Sequence, residues 1–284
     1  MLALGCGLLA ALLWGFHDLA VRHMSARSDM AAGLLVVLLA GAVCLLPLLA
    51  LPGVDLAPPA GRALALTAAA GLSFAVAAYC LWGAFRYGPV RIVSPITAAY
   101  PVVSLGLAIA AGASVPALAW VAVLGVIAGV AIVASGEPDS AQPFSLPRVI
   151  AWSVAAAIGY ATTFALGQAV MVDQAAVPTF LITRLAAAVA IVALMLVNRR
   201  ASWPRGRGLW LLVLTGALDA FALSLVFYAG RLPDASYATV TASLFGVITI
   251  LLAAALLRER LTARQWAGVV VCFVGVGVLA RVAG

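Results

Sequence analysis

Lysine is absent from this chain: all sixteen basic residues among its 284 are arginine. That excludes a retinal Schiff base and a Walker A motif, and with the latter a self-contained nucleotide motor. Histidine occurs only twice, and no HExxH or CxxC spacing exists, so neither a metal site nor a cofactor is expected. Charge is scarce as well, at 9% of residues, while 66% are hydrophobic. Soluble domains carry about 25% charge and roughly 45–50% apolar residues, so the composition is that of a polytopic membrane protein. The four cysteines (Cys6, Cys44, Cys80 and Cys272) lie far apart in apolar runs and read as buried thiols. The net charge of +7 is spread over interhelical loops. It is a topology signal, not a nucleic-acid footprint.

What is present is a series of apolar runs of spanning length, which needs about 20 residues. Ten can be drawn: 2–21, 31–51, 63–85, 91–111, 115–135, 148–171, 175–197, 208–230, 235–257 and 264–281. The first lacks a basic leader and is long enough to be a retained helix. The longest connection, GEPDSAQPFSLP, follows the fifth run. We therefore expect a first five-helix repeat over 1–136, a linker over 137–147 and a second repeat over 148–284.

The stretch Phe85 to Pro101 interrupts the apolar pattern with Pro89, Pro95 and Pro101, two arginines and Tyr100. Proline removes a donor and breaks or kinks a helix, which hydrocarbon tolerates only beside protein or a watery space. Thr97, Tyr100 and Ser104 on one face suggest a cavity wall. The pattern returns 145 positions later, with Arg231 for Arg86 and Phe245 for Tyr100. Trp120 and Gly129 likewise precede Trp266 and Gly275 by 146. Two halves with an odd number of spans must insert in opposite senses, and inverted repeats with a midplane site are the plan of secondary transporters. The predicted fold is all-α: ten transmembrane helices as two inverted repeats around a central cavity.

Polar groups inside spans are expensive and are site candidates. Asp219 in the eighth span and Arg184 in the seventh either lock adjacent helices as an ion pair or serve a solute's charged groups. Trp14, His17 and Asp18 share one face of the first helix. His17 is placed either to gate or shuttle a proton or to snorkel toward headgroups. Tyr79 and Trp82, with Tyr100, Tyr160, Phe164 and Tyr237, form an aromatic set able to line a pocket, the alternative being an interfacial belt.

The stretch Leu257-Arg-Glu-Arg-Leu-Thr-Ala-Arg-Gln-Trp-Ala-Gly268, the Trp14-Gly15 pair, Tyr100-Pro101 and the five-plus-five plan resemble EamA-type transporters of the drug/metabolite transporter superfamily. Ala113 and Gly246 depart from that pattern, where a glutamate and a proline are common. The resemblance implies a secondary exporter of small organic metabolites in the inner (plasma) membrane, not an enzyme. Aromatic and neutral amino acids fit a ring-lined centre best. Other metabolites or drugs of the superfamily, a channel, and an intramembrane enzyme are the alternatives. The implied partners are a small-molecule solute and the lipid bilayer. With the N-terminus inside, twelve arginines would face outward against three inward, so the arginine count puts both termini outside, whereas the resemblance implies inside.

Overall fold

The computed structural model describes residues 2–110, 116–134, 144–198, 202–232, 235–257 and 261–283. Most of the expected linker (137–143), Ala113, and Glu259 of the loop signature lie outside the described residues. No strand occurs among those described. The first half comprises α1 (Leu2–Ser25), α2 (Met30–Leu45), α3 (Gly61–Tyr87), α4 (Val90–Ala98), α5 (Tyr100–Ala110) and α6 (Ala117–Ala134). The second comprises α7 (Leu146–Met171), α8 (Ala176–Asn198), α9 (Arg207–Tyr228), α10 (Ala235–Ala242), α11 (Phe245–Leu252) and α12 (Ala263–Ala283). Seven segments are long and apolar enough to cross a membrane, and three shorter apolar helices accompany them: Val90–Ser104, Ala117–Gly129 and Ala263–Gly275.

Local chemistry sets the helix ends. Asp29 caps α2 by accepting from the Ala32 amide at 2.9 Å. Thr262 and Gln265 cap α12 reciprocally: Thr262 N donates to Gln265 Oε1 at 3.1 Å, and Gln265 N donates to Thr262 Oγ1 at 3.2 Å. This capping box gives the Leu-Thr-Ala-Arg-Gln part of the loop signature a physical meaning.

The fourth expected span is two helices, broken at Ala99. Pro101 has no amide hydrogen to give α4, and the chain resumes through Val102 N donating to Ala99 O at 3.0 Å. The ninth is broken as well, at Ser243–Leu244, without any proline. Here Ser243 Oγ donates back to Val240 O at 2.7 Å, a local bond that competes with helix continuation. Gly246 then lets α11 close on α4; a Cβ there would lie 2.7 Å from Ala98 Cβ.

Packing is duplicated along with sequence. α1 packs on α9 as α7 packs on α3, α2 on α9 as α8 on α3, and α10 on α12 as α4 on α6. The seam between α6 and α12 is reciprocal. A Cβ on Gly129 would meet Cys272 Sγ at 2.7 Å and Gly268 O at 2.8 Å. A Cβ on Gly275 would meet Val126 Cγ2 at 2.7 Å and Ala122 O at 2.9 Å. Every one of these partners is offset by 146, so the same surface is used twice, as across a two-fold axis. Position numbers rise along α6 as they fall along α12, so the two helices run antiparallel. Small residues permit this closeness in a membrane bundle.

The two repeated arginines tie equivalent corners. Arg231 Nε donates to Met171 O at 3.0 Å, and its Nη2 donates to Gln174 O. Arg86 Nη1 donates to Ser28 O at 3.4 Å, and beside it Arg22 Nη1 donates to Phe85 O at 2.7 Å. Each repeated arginine reaches back from the end of a half's third helix to the turn after its first.

Candidate functional site

The two helix breaks deliver residues to one point. Tyr100 opens α5 and Phe245 opens α11, and both are buried at the centre. Trp14 and Asp18, four apart on α1, and Tyr160 and Phe164, four apart on α7, point at the same place. Tyr160 and Phe164 stack at 5.8 Å. Phe164 meets Tyr100 edge-on at 5.0 Å and Trp14 at 5.6 Å, and Trp14 meets Phe245 at 6.2 Å. Separations and tilts of this kind are the preferred ones for aromatic pairs. With Leu81 they line a narrow space with about 10 Å³ of free volume, enough for roughly one water molecule. Where the prolines led to an open central cavity, the rings leave a narrow aromatic box.

Among the described lining residues, Asp18 is the one that can carry a charge at neutral pH. Asp18 shares a hydrogen bond with His17 Nδ1 through Oδ1 at 2.9 Å, while its Oδ2 is buried with no close hydrogen bond, the Thr249 side chain lying beside the carboxyl. His17 is only 4% exposed, so it does not reach toward headgroups. Behind Trp14, Asp219 accepts from the indole Nε1 at 3.0 Å through Oδ1 and from Arg184 Nη2 at 2.7 Å through Oδ2. The Arg184 guanidinium also lies over the Phe74 ring at 5.7 Å, and Phe74 meets Tyr160 at 6.2 Å. Arg184 and Asp219 are therefore an ion pair, and they hold two walls of the box from outside. The Tyr100 hydroxyl donates to Thr239 O, and Gln168 Nε2 donates to Thr239 Oγ1 at 2.9 Å and to Val226 O at 3.1 Å. This links α5, α7 and α9 to α10.

Tyr79 and Trp82 are placed elsewhere. Tyr79 is half-buried against Trp152, at 6.0 Å. Trp82 is buried against α2, where a Cβ on Gly33 would touch its ring at 2.6 Å. Tyr237 belongs to α10 by its backbone, but its side chain lies outside the described residues. Two residues escape the sequence reading. Phe245 was visible only as the repeat partner of Tyr100. Arg91, the first residue of the fourth expected run, sits in the first turn of α4 with 4% exposure, and its Nε has no partner. Ser94 Oγ and Thr97 Oγ1 on the same helix are likewise buried and unpaired. No group of metal-ligating side chains occurs among the described residues.

A duplicated helical bundle whose broken helices meet at a buried carboxylate in an aromatic box is a membrane transporter by class. A sequence model of the EamA-like transporter family matches residues 1–135 and again residues 147–281. The chain belongs to the EamA-like transporter family, within the drug/metabolite transporter superfamily. A search among curated proteins returns no match. A solved structure, described only as "Crystal structure of protein", is similar at 16% identity with a TM-score of 0.67, over 98% of this chain and 97% of that one. At that identity the likeness is one of fold alone.

Proposed function

We propose that this chain is a secondary transporter that carries a small amine-bearing solute, best fitted by an aromatic or neutral amino acid, through the aromatic box by alternating access. The observation that carries the reading is Asp18, a buried carboxylate residue lining a space walled by Trp14, Tyr100, Tyr160, Phe164 and Phe245, with its Oδ2 in no close hydrogen bond. A carboxylate within aromatic faces is the chemistry that receives an ammonium group, and the rings receive an apolar side chain. The Arg184–Asp219 pair positions Trp14 by its indole N–H. His17, hydrogen-bonded to Asp18, is the group through which proton movement would couple to solute.

The two halves, 1–136 and 148–284 joined by 137–147, would rock against each other as inverted repeats of five crossings each, with the box as the fixed point. The antiparallel, reciprocal seam of α6 and α12 supports that arrangement. The arginine-rich end, where Arg22, Arg27, Arg86, Arg148, Arg205 and Arg207 gather, would face the cytoplasm of the inner membrane. Both termini would then lie outside.

A second reading comes from the same residues: the box has a carboxylate but no cation among its lining residues. A decarboxylated amine would satisfy it as well as an amino acid. Reconstituted into liposomes, the protein should exchange aromatic amino acids in preference to acidic or sugar solutes, and Asp18→Asn should abolish the exchange. Faster movement of the matching amines than of the amino acids would decide for the second reading. Flux of neither class would refute both. Running the assay with and without a pH gradient separates proton coupling from facilitated diffusion.

A further inference from the structure

Away from the box, a groove of about 470 Å³ opens where the last turn of α1 meets the first turn of α9. Its lining includes His23, Arg27, Trp203, Arg205 and Arg207, with Met24 and Leu211 as apolar members. We propose that this groove binds the phosphate-bearing headgroup of an anionic phospholipid.

Four observations support it. First, Arg27, Arg205 and Arg207 are exposed, and none forms an ion pair among the described residues. The adjacent carboxylate, Asp29, is engaged in capping α2. Three guanidiniums around one concavity, with no carboxylate paired to them among the described residues, make an anion site, and the planar fork of arginine matches phosphate oxygens. Second, Arg27 Nη1 lies 2.7 Å from His23 Nε2, which fixes its head toward the groove wall formed by α1. Third, the groove stands at the ends of two helices long enough to span a bilayer, Leu2–Ser25 and Arg207–Arg231, hence at headgroup depth. Trp203 and Trp210 are exposed beside it, in the placement tryptophan takes at a membrane interface. Fourth, the lining mixes Met24, Pro204 and Leu211 with Ser28 and Ser202, which suits the glycerol and first methylenes of a lipid as well as its polar linkage. Basic side chains at this depth attract acidic lipids.

Native mass spectrometry of the full-length protein, purified with phosphatidylglycerol and phosphatidylcholine in equal amounts, tests the proposal. The parent should retain phosphatidylglycerol. The pair Arg205→Gln/Arg207→Gln should retain at least fivefold less. The charge-matched pair Arg62→Gln/Arg281→Gln, on residues outside the groove, should retain the parental amount. Glycerol phosphate without acyl chains should fail to displace the lipid at equal concentration. If the groove pair does not fold, single Arg207→Gln against single Arg62→Gln gives the same comparison. Equal retention by both variants overturns the proposal, and so does equal loss, which would mean bulk charge only. Displacement by glycerol phosphate on equal terms also overturns it, by making this a site for a soluble phosphate ester.

Discussion

Tyr100 and Phe245, 145 positions apart in the chain, lie with ring planes 6° apart and centroids 6.5 Å apart. Each is the first residue after a helix break, in equivalent places of the two halves. Duplicating one interrupted helix has thus brought two copies of one position face to face at the centre.

Truncating either ring should be costly. Tyr100→Ala and Phe245→Ala should each lose about 3–5 kcal/mol of stability, the range for buried aromatic-to-alanine changes. Tyr100→Phe gives up only the hydroxyl bond to Thr239 O and should lose about 1 kcal/mol. Denaturation in detergent micelles measures all three. A Tyr100→Phe loss as large as that of Tyr100→Ala would shift the role from ring to hydroxyl.

Breaking the buried ion pair should be worse than deleting it. Asp219→Leu leaves Arg184 uncompensated and should cost about 3–5 kcal/mol, whereas the double change Arg184→Met/Asp219→Leu should recover much of that loss. Trp14→Phe, which keeps a ring but drops the bond to Asp219, should cost roughly 1.5–3 kcal/mol. A double variant no more stable than Asp219→Leu would contradict this account.

The reciprocal seam predicts matched effects. Gly129→Ala and Gly275→Ala both drive a methyl to within 2.9 Å of backbone oxygen across the seam, and each should cost roughly 1–3 kcal/mol. Gly125→Ala on the same helix meets nothing within 4 Å and should be neutral or stabilising by roughly 0.5–1 kcal/mol. Thermal melts of the three variants side by side check it, and unequal losses at 129 and 275 would argue against two-fold packing.

Arg91 should be a net burden on stability. Arg91→Met removes a buried guanidinium whose Nε has no partner while keeping the length of the side chain, and should stabilise by on the order of 1 kcal/mol. A fall in melting temperature would instead mean that the guanidinium is held by something the geometry does not pair with it.

Much of this arrangement was legible before any coordinates. The apolar runs marked the helices, because hydrocarbon leaves the backbone few other choices. The prolines marked the break in the fourth span, and the 145-residue echo carried Arg86 to Arg231 and Tyr100 to Phe245. The ninth-span break was not legible, since a serine hydroxyl and a glycine make it without proline. Nor was the orientation of Tyr79 and Trp82, because a helix face is assigned by its neighbours and nearly every face here is apolar. The burial of Arg91 was not legible for a related reason. A charge at the very start of the expected run 91–111 suggests a membrane edge, yet the Gly88-Pro89 turn is tight enough that α4 begins at Val90 and buries it.

The narrowness of the box bears on which molecules can enter it. Five rings crowd a space of about 10 Å³, so a solute entering it must part ring from ring. Parting the rings forfeits contacts worth about 0.5–1.5 kcal/mol per aromatic pair. A solute that brings a ring of its own gives those contacts back. On the proposed reading, the rings are then parted most cheaply by the molecule that can replace their contacts, so the same five side chains would set both the barrier to entry and the choice of solute.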